Sequence, residues 1–127
     1  MNETERRKLN ELVELISYID YISDLAIVEG PHDRKTLRYL GYERAIIEVS
    51  KKTLDDLIKV IEDKYNKIVI LTDFDEEGER MKNQLEEGIK DKEVKILTEL
   101  RKEVKEALAE LSVDSIEGIY GVKLRVF

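Results

Sequence analysis

Apolar residues recur along this chain in two rhythms that alternate with one another. Leu9, Leu12, Val13, Ile16 and Ile19 fall at helical spacing and predict an amphipathic helix from about Glu5 to Ile22. The run "LAIVEG", Leu25–Gly30, is short, continuous and apolar, as a buried strand is. Pro31 suits the first position of a following helix, where its missing N–H costs nothing, and Gly41 suits its end. "AIIEVS" (Ala45–Ser50), "KIVILT" (Lys67–Thr72) and "VKILT" (Val94–Thr98) predict three more strands. Between them lie helical stretches from Thr53, paired with Asp56 in a capping pattern, to about Tyr65, and onward to about Glu87, with Gly88 as a stop. A last helix is expected from about Leu100 to Leu111. The tail "GVKLRVF" alternates apolar and basic residues, which predicts an edge strand.

Strands alternating with helices of this length imply parallel pairing through right-handed crossovers. The expected fold is a small α/β open sandwich, Rossmann-like, with a four-stranded parallel sheet, an extra N-terminal helix and a C-terminal edge strand. The apolar stripe of the first helix is expected to pack on the sheet, although a homodimer would use the same stripe. At 127 residues the chain fits one domain with one core.

Composition narrows the chemistry. There is no cysteine, so disulfides, thiolate metal sites and thiol nucleophiles are excluded. No apolar run is long enough to span a membrane, and the polar start "MNETERRKLN" lacks the apolar core of a signal peptide, so a cytoplasmic protein is expected. Charged residues make up 40% of the chain, with Lys and Glu dominant, a balance found in heat-stable proteins. The net charge of −7 argues against a simple basic grip on nucleic acid; metal ions or a protein partner would have to help.

The acids are not scattered evenly. "KIVILTDFDEEGER", Lys67–Arg80, runs from apolar residues straight into Asp73, Asp75, Glu76 and Glu77. In an open parallel sheet, ligands bind beyond the carboxyl ends of the strands at the switch in strand order. If the first and third strands are neighbours, Glu29, Asp33, Asp73, Asp75 and Glu77 crowd one rim. Two like charges ~5 Å apart repel by roughly 3 kcal/mol at an effective dielectric near 20. Protons or a divalent cation would relieve that repulsion. All-oxygen ligands without His or Cys select Mg²⁺, Mn²⁺ or Ca²⁺ over zinc.

"IVEG", with Asp33 four residues beyond Glu29, followed by "ILTDFDEEGE", resembles the Toprim domain shared by topoisomerases, primases and several nucleases. That family carries Glu-Gly after its first strand and Asp-x-Asp after its third. The resemblance covers about Leu25 to Leu100, and the chain as a whole is most similar to small stand-alone Toprim proteins of archaea. It divides into an N-terminal helix, residues 1–24, and a Toprim-like domain, residues 25–127. The resemblance implies that Glu29 is a general acid/base or a metal contact, and that Asp73 and Asp75 hold Mg²⁺, with Mn²⁺ as substitute. Glu77 and Asp33 are further acidic ligand candidates, and Gly30 and Gly78 allow close backbone approach to substrate. It also implies a nucleic-acid substrate, RNA or DNA, and a nuclease-like or processing activity.

The family's larger activities lack their parts here. None of the six tyrosines sits in the context of a strand-passing nucleophile, and no primase core or zinc module is present. A non-catalytic, metal-stiffened adaptor for RNA or a larger machine is the alternative. A response-regulator receiver would use an Asp after the third strand and a residue such as Thr98, but it needs an acid pair after the first strand and a Lys after a fifth. A dehalogenase-type phosphatase carries its Asp-x-Asp after the first strand instead. Lys51 and Lys52 after the second strand, and Arg101 and Lys102 after the fourth, either pin phosphates beside the acids or are solvated helix-start residues. His32 is an exposed first-turn residue or a proton shuttle near Glu29. Arg6, Arg7 and Lys8 read as a helix face.

Overall fold

The computed structural model describes residues 2–124. Four strands, β1 (Leu25–Val28), β2 (Ala45–Glu48), β3 (Lys67–Ile70) and β4 (Lys95–Ile96), form one parallel sheet in the order β2-β1-β3-β4. The helices are α1 (Glu3–Ile22), α2 (Pro31–Tyr39), α3 (Leu54–Lys64), α4 (Glu76–Ile89), α5 (Thr98–Glu110) and α6 (Ile119–Leu124).

Strand residues alternate between two apolar layers, as a pleated sheet covered on both faces requires. Ala26, Val28, Val69 and Leu71 face the layer that holds Leu12, Ile16 and Ile19 of α1, Leu37 of α2 and Val104 and Leu108 of α5. Leu25, Ile27, Ile68 and Ile70 face the other layer, with Leu57 and Ile61 of α3 and Leu85 and Ile89 of α4. The path runs outward from β1 to β2, then returns past β1 to β3. A right-handed crossover taken in the opposite direction lands on the opposite face. So α2 and α3 lie on different sides, and a crevice forms where β1 and β3 end side by side.

The expected N-terminal helix is present and packs on the sheet through part of its stripe, with Leu9 partly buried and Val13 exposed. Leu12, Ile16 and Ile19 are fully buried. Local signals start most helices where expected. Thr53 Oγ1 accepts the Asp56 N–H at 3.1 Å, Pro31 opens α2, and Gly41 follows α2 with φ +108°. Two expectations need correction. Gly88 lies inside α4, which runs on to Ile89, and its missing β-carbon leaves the room that Ile58 of α3 fills. The expected C-terminal edge strand is not formed by Gly121–Leu124, which belong to α6; Arg125–Phe127 lie outside the described residues. No fifth strand occurs among the described residues. No helix among them is long and apolar enough to cross a membrane.

Candidate metal centre

Three carboxylates meet at the crevice. Glu29 lies just past β1, Asp73 lies past β3, and Asp75 is the N-cap of α4. Each offers an oxygen within 4.8 Å of the others. The chain holds them there through its backbone. Glu29 Oε1 accepts the Asp73 N–H at 3.0 Å, which ties the ends of β1 and β3 together. Asp75 Oδ1 accepts the Gly78 N–H at 2.8 Å, which starts α4 and fixes the turn. Gly78 is required by space: a β-carbon there would lie 1.9 Å from the Asp73 carbonyl oxygen. The close approach made by Gly78 is thus to the acid loop itself. The Thr72 hydroxyl donates to the Gly78 carbonyl at 2.9 Å and closes the loop from within.

The electrostatics are unbalanced. Asp73 Oδ1 is buried and has no hydrogen-bond partner. Burial, then the charges of Asp33, Glu29, Asp75 and Asp114, push the Asp73 carboxyl up to about 7. Glu29 is also raised, by burial first and then by Asp75 and Asp33, against the lowering effect of the Asp73 N–H. Asp33 is raised by burial, although the Glu117 and Gly30 N–H groups and His32 pull it down. A buried carboxylate oxygen that lacks a partner, set among two more carboxylates, is a donor set suited to a hard divalent cation. Glu29, Asp73 and Asp75 therefore fit such an ion.

The other expected residues are placed as follows. Asp33 is near the three but its oxygens are engaged: Oδ1 accepts the Glu117 N–H at 2.9 Å and Oδ2 the Gly30 N–H at 3.3 Å. Gly30 is extended, with nothing nearer its missing β-carbon than Ser50 Oγ at 4.0 Å. Glu77 lies outside the group, exposed, with its carboxylate against the Arg80 guanidinium. Lys51 and Lys52 are exposed at the end of β2, and Lys51 Nζ lies 3.4 Å from Glu48. Lys102 is exposed on α5.

Arg101 is the main correction among the basic residues. It is 6% exposed and faces inward, so it is not a solvent-facing phosphate contact. Its guanidinium donates to the carbonyls of Ile70 (2.9 Å), Thr72 (2.9 Å) and Asp73 (3.2 Å), and to Glu79 (2.9 Å). It also lies 4.3 Å over the Phe74 ring. Arg101 therefore clamps the acid loop from behind. Its spacing with Leu100, Val104 and Leu108, the buried face of α5, is the sequence signal that could have found it.

A buried carboxylate outside the expected residues also lies on this rim. Glu48 ends β2 and is 4% exposed, with Arg34 Nε at 2.8 Å and Lys51 at 3.4 Å. An acid inside the apolar run "AIIEV" was its signal.

The Toprim domain family model matches residues 24–107. A UPF0292 protein of Thermococcus onnurineus is 36% identical over 113 residues, covering 89% of this chain and 84% of that protein. A UPF0292 protein of Pyrococcus horikoshii is 36% identical over 100 residues, covering 79% and 74% respectively. A solved structure of a protein from Aquifex aeolicus superposes with a TM-score of 0.71 at 23% identity, over 86% of this chain and 95% of that one, and so shares the fold. With the acids after β1 and β3 and a model match across all four strands, the chain belongs to the Toprim domain family.

Proposed function

We propose that this chain binds Mg²⁺, with Mn²⁺ as substitute, through Asp73 and Asp75 beside Glu29, and acts on nucleic-acid phosphodiesters as a nuclease-like or processing component. The observation that carries the reading is Asp73 Oδ1, a buried carboxylate oxygen with no partner, within reach of two further acids. A divalent ion bound there would supply positive charge to a scissile phosphate and to the oxygens that attack and leave. Glu29 is the proton carrier in this reading. Its carboxylate is anchored on one oxygen by the Asp73 N–H, and burial, with Asp75 and Asp33 nearby, holds it above the ordinary glutamate range. Asp33 is a positioning residue, because its two oxygens hold Gly30 and Glu117 in place beside the acids. Arg101 positions the Asp73 backbone.

One observation favours a second reading, a metal-stiffened adaptor for nucleic acid or a larger machine. Several cations near the rim are engaged within the chain: Arg34 and Lys51 by Glu48, Arg80 by Glu77, and Arg101 by carbonyls. That leaves fewer to hold a polyanion, and a protein partner would supply the rest of the grip.

Glu29→Gln separates the two. Against a panel of single-stranded and duplex RNA and DNA with Mn²⁺, an enzyme loses cleavage by about 10²–10⁴-fold in this variant and keeps its nucleic-acid binding. A wild-type preparation that binds but cuts nothing makes the adaptor the better description. Labelling of an aspartate by a small phosphodonor would instead favour a receiver-like phosphoacceptor.

A further inference from the structure

Beside the acid centre lies a hollow that its three acids do not line. His32, Lys35 and Thr36 of α2 face Glu117, Tyr120 and Gly121 across a cavity of about 300 Å³. That is the small end of the range for ligand pockets. A second hollow of about 160 Å³ shares Lys35, Thr36 and Tyr120 and adds Tyr39 and Ile119. Tyr120 thus borders both, and half of its surface is exposed. The hollow adjoins the acids through Asp33. The same carboxylate that accepts the Glu117 N–H is the strongest charge acting on Asp73.

The lining has a definite chemistry. Tyr120 offers an exposed aromatic ring beside open space. Lys35 is exposed and forms no ion pair among the described residues, and His32 is exposed one residue from Asp33. Glu117 adds an exposed carboxylate that can accept hydrogen bonds but cannot donate them. A ring, two cationic or donor groups and one acceptor match the parts of a nucleotide: a π-face, a phosphate and base N–H groups. An apolar peptide side chain would use the ring alone. A paired base has its faces covered by stacking and its edge by pairing, so an unpaired strand is required.

Resting on the reading that the acid centre meets nucleic acid, we propose that the Tyr120 hollow binds one unpaired nucleobase and its phosphate. This nucleotide flanks the phosphodiester presented to Glu29, Asp73 and Asp75. The base stacks on Tyr120, Lys35 and His32 hold the phosphate, and Glu117 accepts from the base edge. The site gives an acidic protein a grip that relies mainly on stacking, and it selects single strands over duplex.

The test is binding of short labelled RNA and DNA strands, by fluorescence anisotropy, with Ca²⁺ in place of Mg²⁺. Tyr120→Ala should weaken single-strand binding about 5- to 150-fold, the worth of one stacked base, and Tyr120→Phe should retain it. A strand with abasic positions should bind wild type no better than the intact strand binds Tyr120→Ala. Lys35→Ala should lower the slope of log affinity against log salt by about 0.7, the value for one contact to a single strand. Tyr120 and Lys35 are exposed, so the variants should melt as wild type does. If wild type binds strands and Tyr120→Ala binds them equally well, the hollow is not a base site, and the metal-centre reading is untouched. Equal losses on duplex and single strand would also overturn the stacking assignment. If wild type binds neither form while Mg²⁺ still raises its melting temperature, the nucleic-acid reading itself fails, and the hollow loses its proposed ligand with it.

Discussion

Two carboxylates, Glu48 buried and Asp73 half-buried, sit on the same rim of the sheet and are treated in opposite ways. Glu48 ends β2 and is in register with Val28, so it lies one residue short of Glu29. Asp73 follows β3. Each has an oxygen without a partner, Glu48 Oε1 and Asp73 Oδ1. Burial pushes Glu48 up, but Arg34 and Lys51 more than offset it and hold the group below the ordinary glutamate range. Burial pushes Asp73 up as well, and the four acids around it push further, to about 7. The nearest arginine does not help in the same way, since Arg101 turns its guanidinium to backbone carbonyls and to Glu79. One end of the rim carries its own cations. The other has acids in excess and is built to take positive charge from outside, as protons or as a metal ion.

The largest expected effect tests whether Arg101 is scaffold or counter-ion. Arg101→Met leaves the Ile70 and Thr72 carbonyls buried and unpaired, at ~1–3 kcal/mol each, and removes the Glu79 pair. A loss of about 3–5 kcal/mol is expected in urea unfolding, with only part recovered by Arg101→Lys, which lacks the fork geometry. The metal response separates the roles. A positioning Arg101 makes Mg²⁺ binding weaker when it is lost, whereas a counter-ion makes it stronger. Stronger binding would break the contrast between the two ends of the rim.

Next in size is the ion. Mg²⁺ or Mn²⁺ at 100 times its dissociation constant should stabilise the fold by about 2.7 kcal/mol and raise the melting temperature accordingly. Asp73→Asn/Asp75→Asn should abolish the rise and leave metal-free stability equal or higher, because the repulsion goes with the charges. Glu48→Gln should leave the rise intact. A response that survives the double change, or that Glu48→Gln removes, puts the ion elsewhere.

The two ends also differ in how well the sequence announced them. Asp73 and Asp75 stand directly after an apolar run, and on the one condition that the first and third strands are neighbours they reach the crevice with Glu29; the sheet order meets that condition. Neighbouring residues were harder. Arg101 and Lys102 are both basic and both start α5, yet one is buried and the other exposed. Which of them turns inward depends on the register of α5 against the sheet, and that is set by Leu100, Val104 and Leu108 together. Asp33 looked like a ligand because it is acidic and near Glu29, but its role is local: it caps Gly30 three residues back and receives Glu117 from a segment more than eighty residues on. Alternation in Gly121–Phe127 suggested a strand, but a short stretch carries period two by chance, and Gly121–Leu124 belong to α6.

The pH dependence of the metal-free protein comes third and should carry opposite signs at the two ends. Asp73 is near 3.8 when unfolded and about 7 when folded, so the native state binds more protons between these values. Stability should therefore fall as pH rises from about 4 to about 7. The size expected is about 2 kcal/mol, below the linkage value for an isolated group because neighbouring acids share the titration. Glu48 is lowered from 4.5 when folded, so its contribution is present above 4.5 and is lost as pH falls through its folded value. Urea midpoints in chelator across this range check the sum, and Asp73→Asn isolates the Asp73 part by flattening the descent. Saturating Mg²⁺ should flatten it too, since metal and proton compete for the same oxygens.

The smallest effect concerns whether the cations of the β2 end are wholly taken up by Glu48. Lys51 is largely exposed and 3.4 Å from Glu48, while Arg34 makes the shorter contact at 2.8 Å. Lys51→Ala should therefore cost at most about 1 kcal/mol of stability, as exposed ion pairs do. Lys52 is exposed beside it and has no ion pair among the described residues. If both lysines also touch a bound strand, changing the two to Ala together should flatten the log–log salt dependence by about 1.4 units, 0.7 for each phosphate contact. If Glu48 holds Lys51 throughout, the pair should give about 0.7, the share of Lys52 alone. The effect should not depend on base sequence, because phosphate contacts position a strand without reading it. Arg6→Ala, on the first turns of α1, serves as the reference. A salt slope that responds to Arg6 and ignores Lys51 and Lys52 would move the polyanion off this rim, leaving the contrast between Glu48 and Asp73 as one of stability alone.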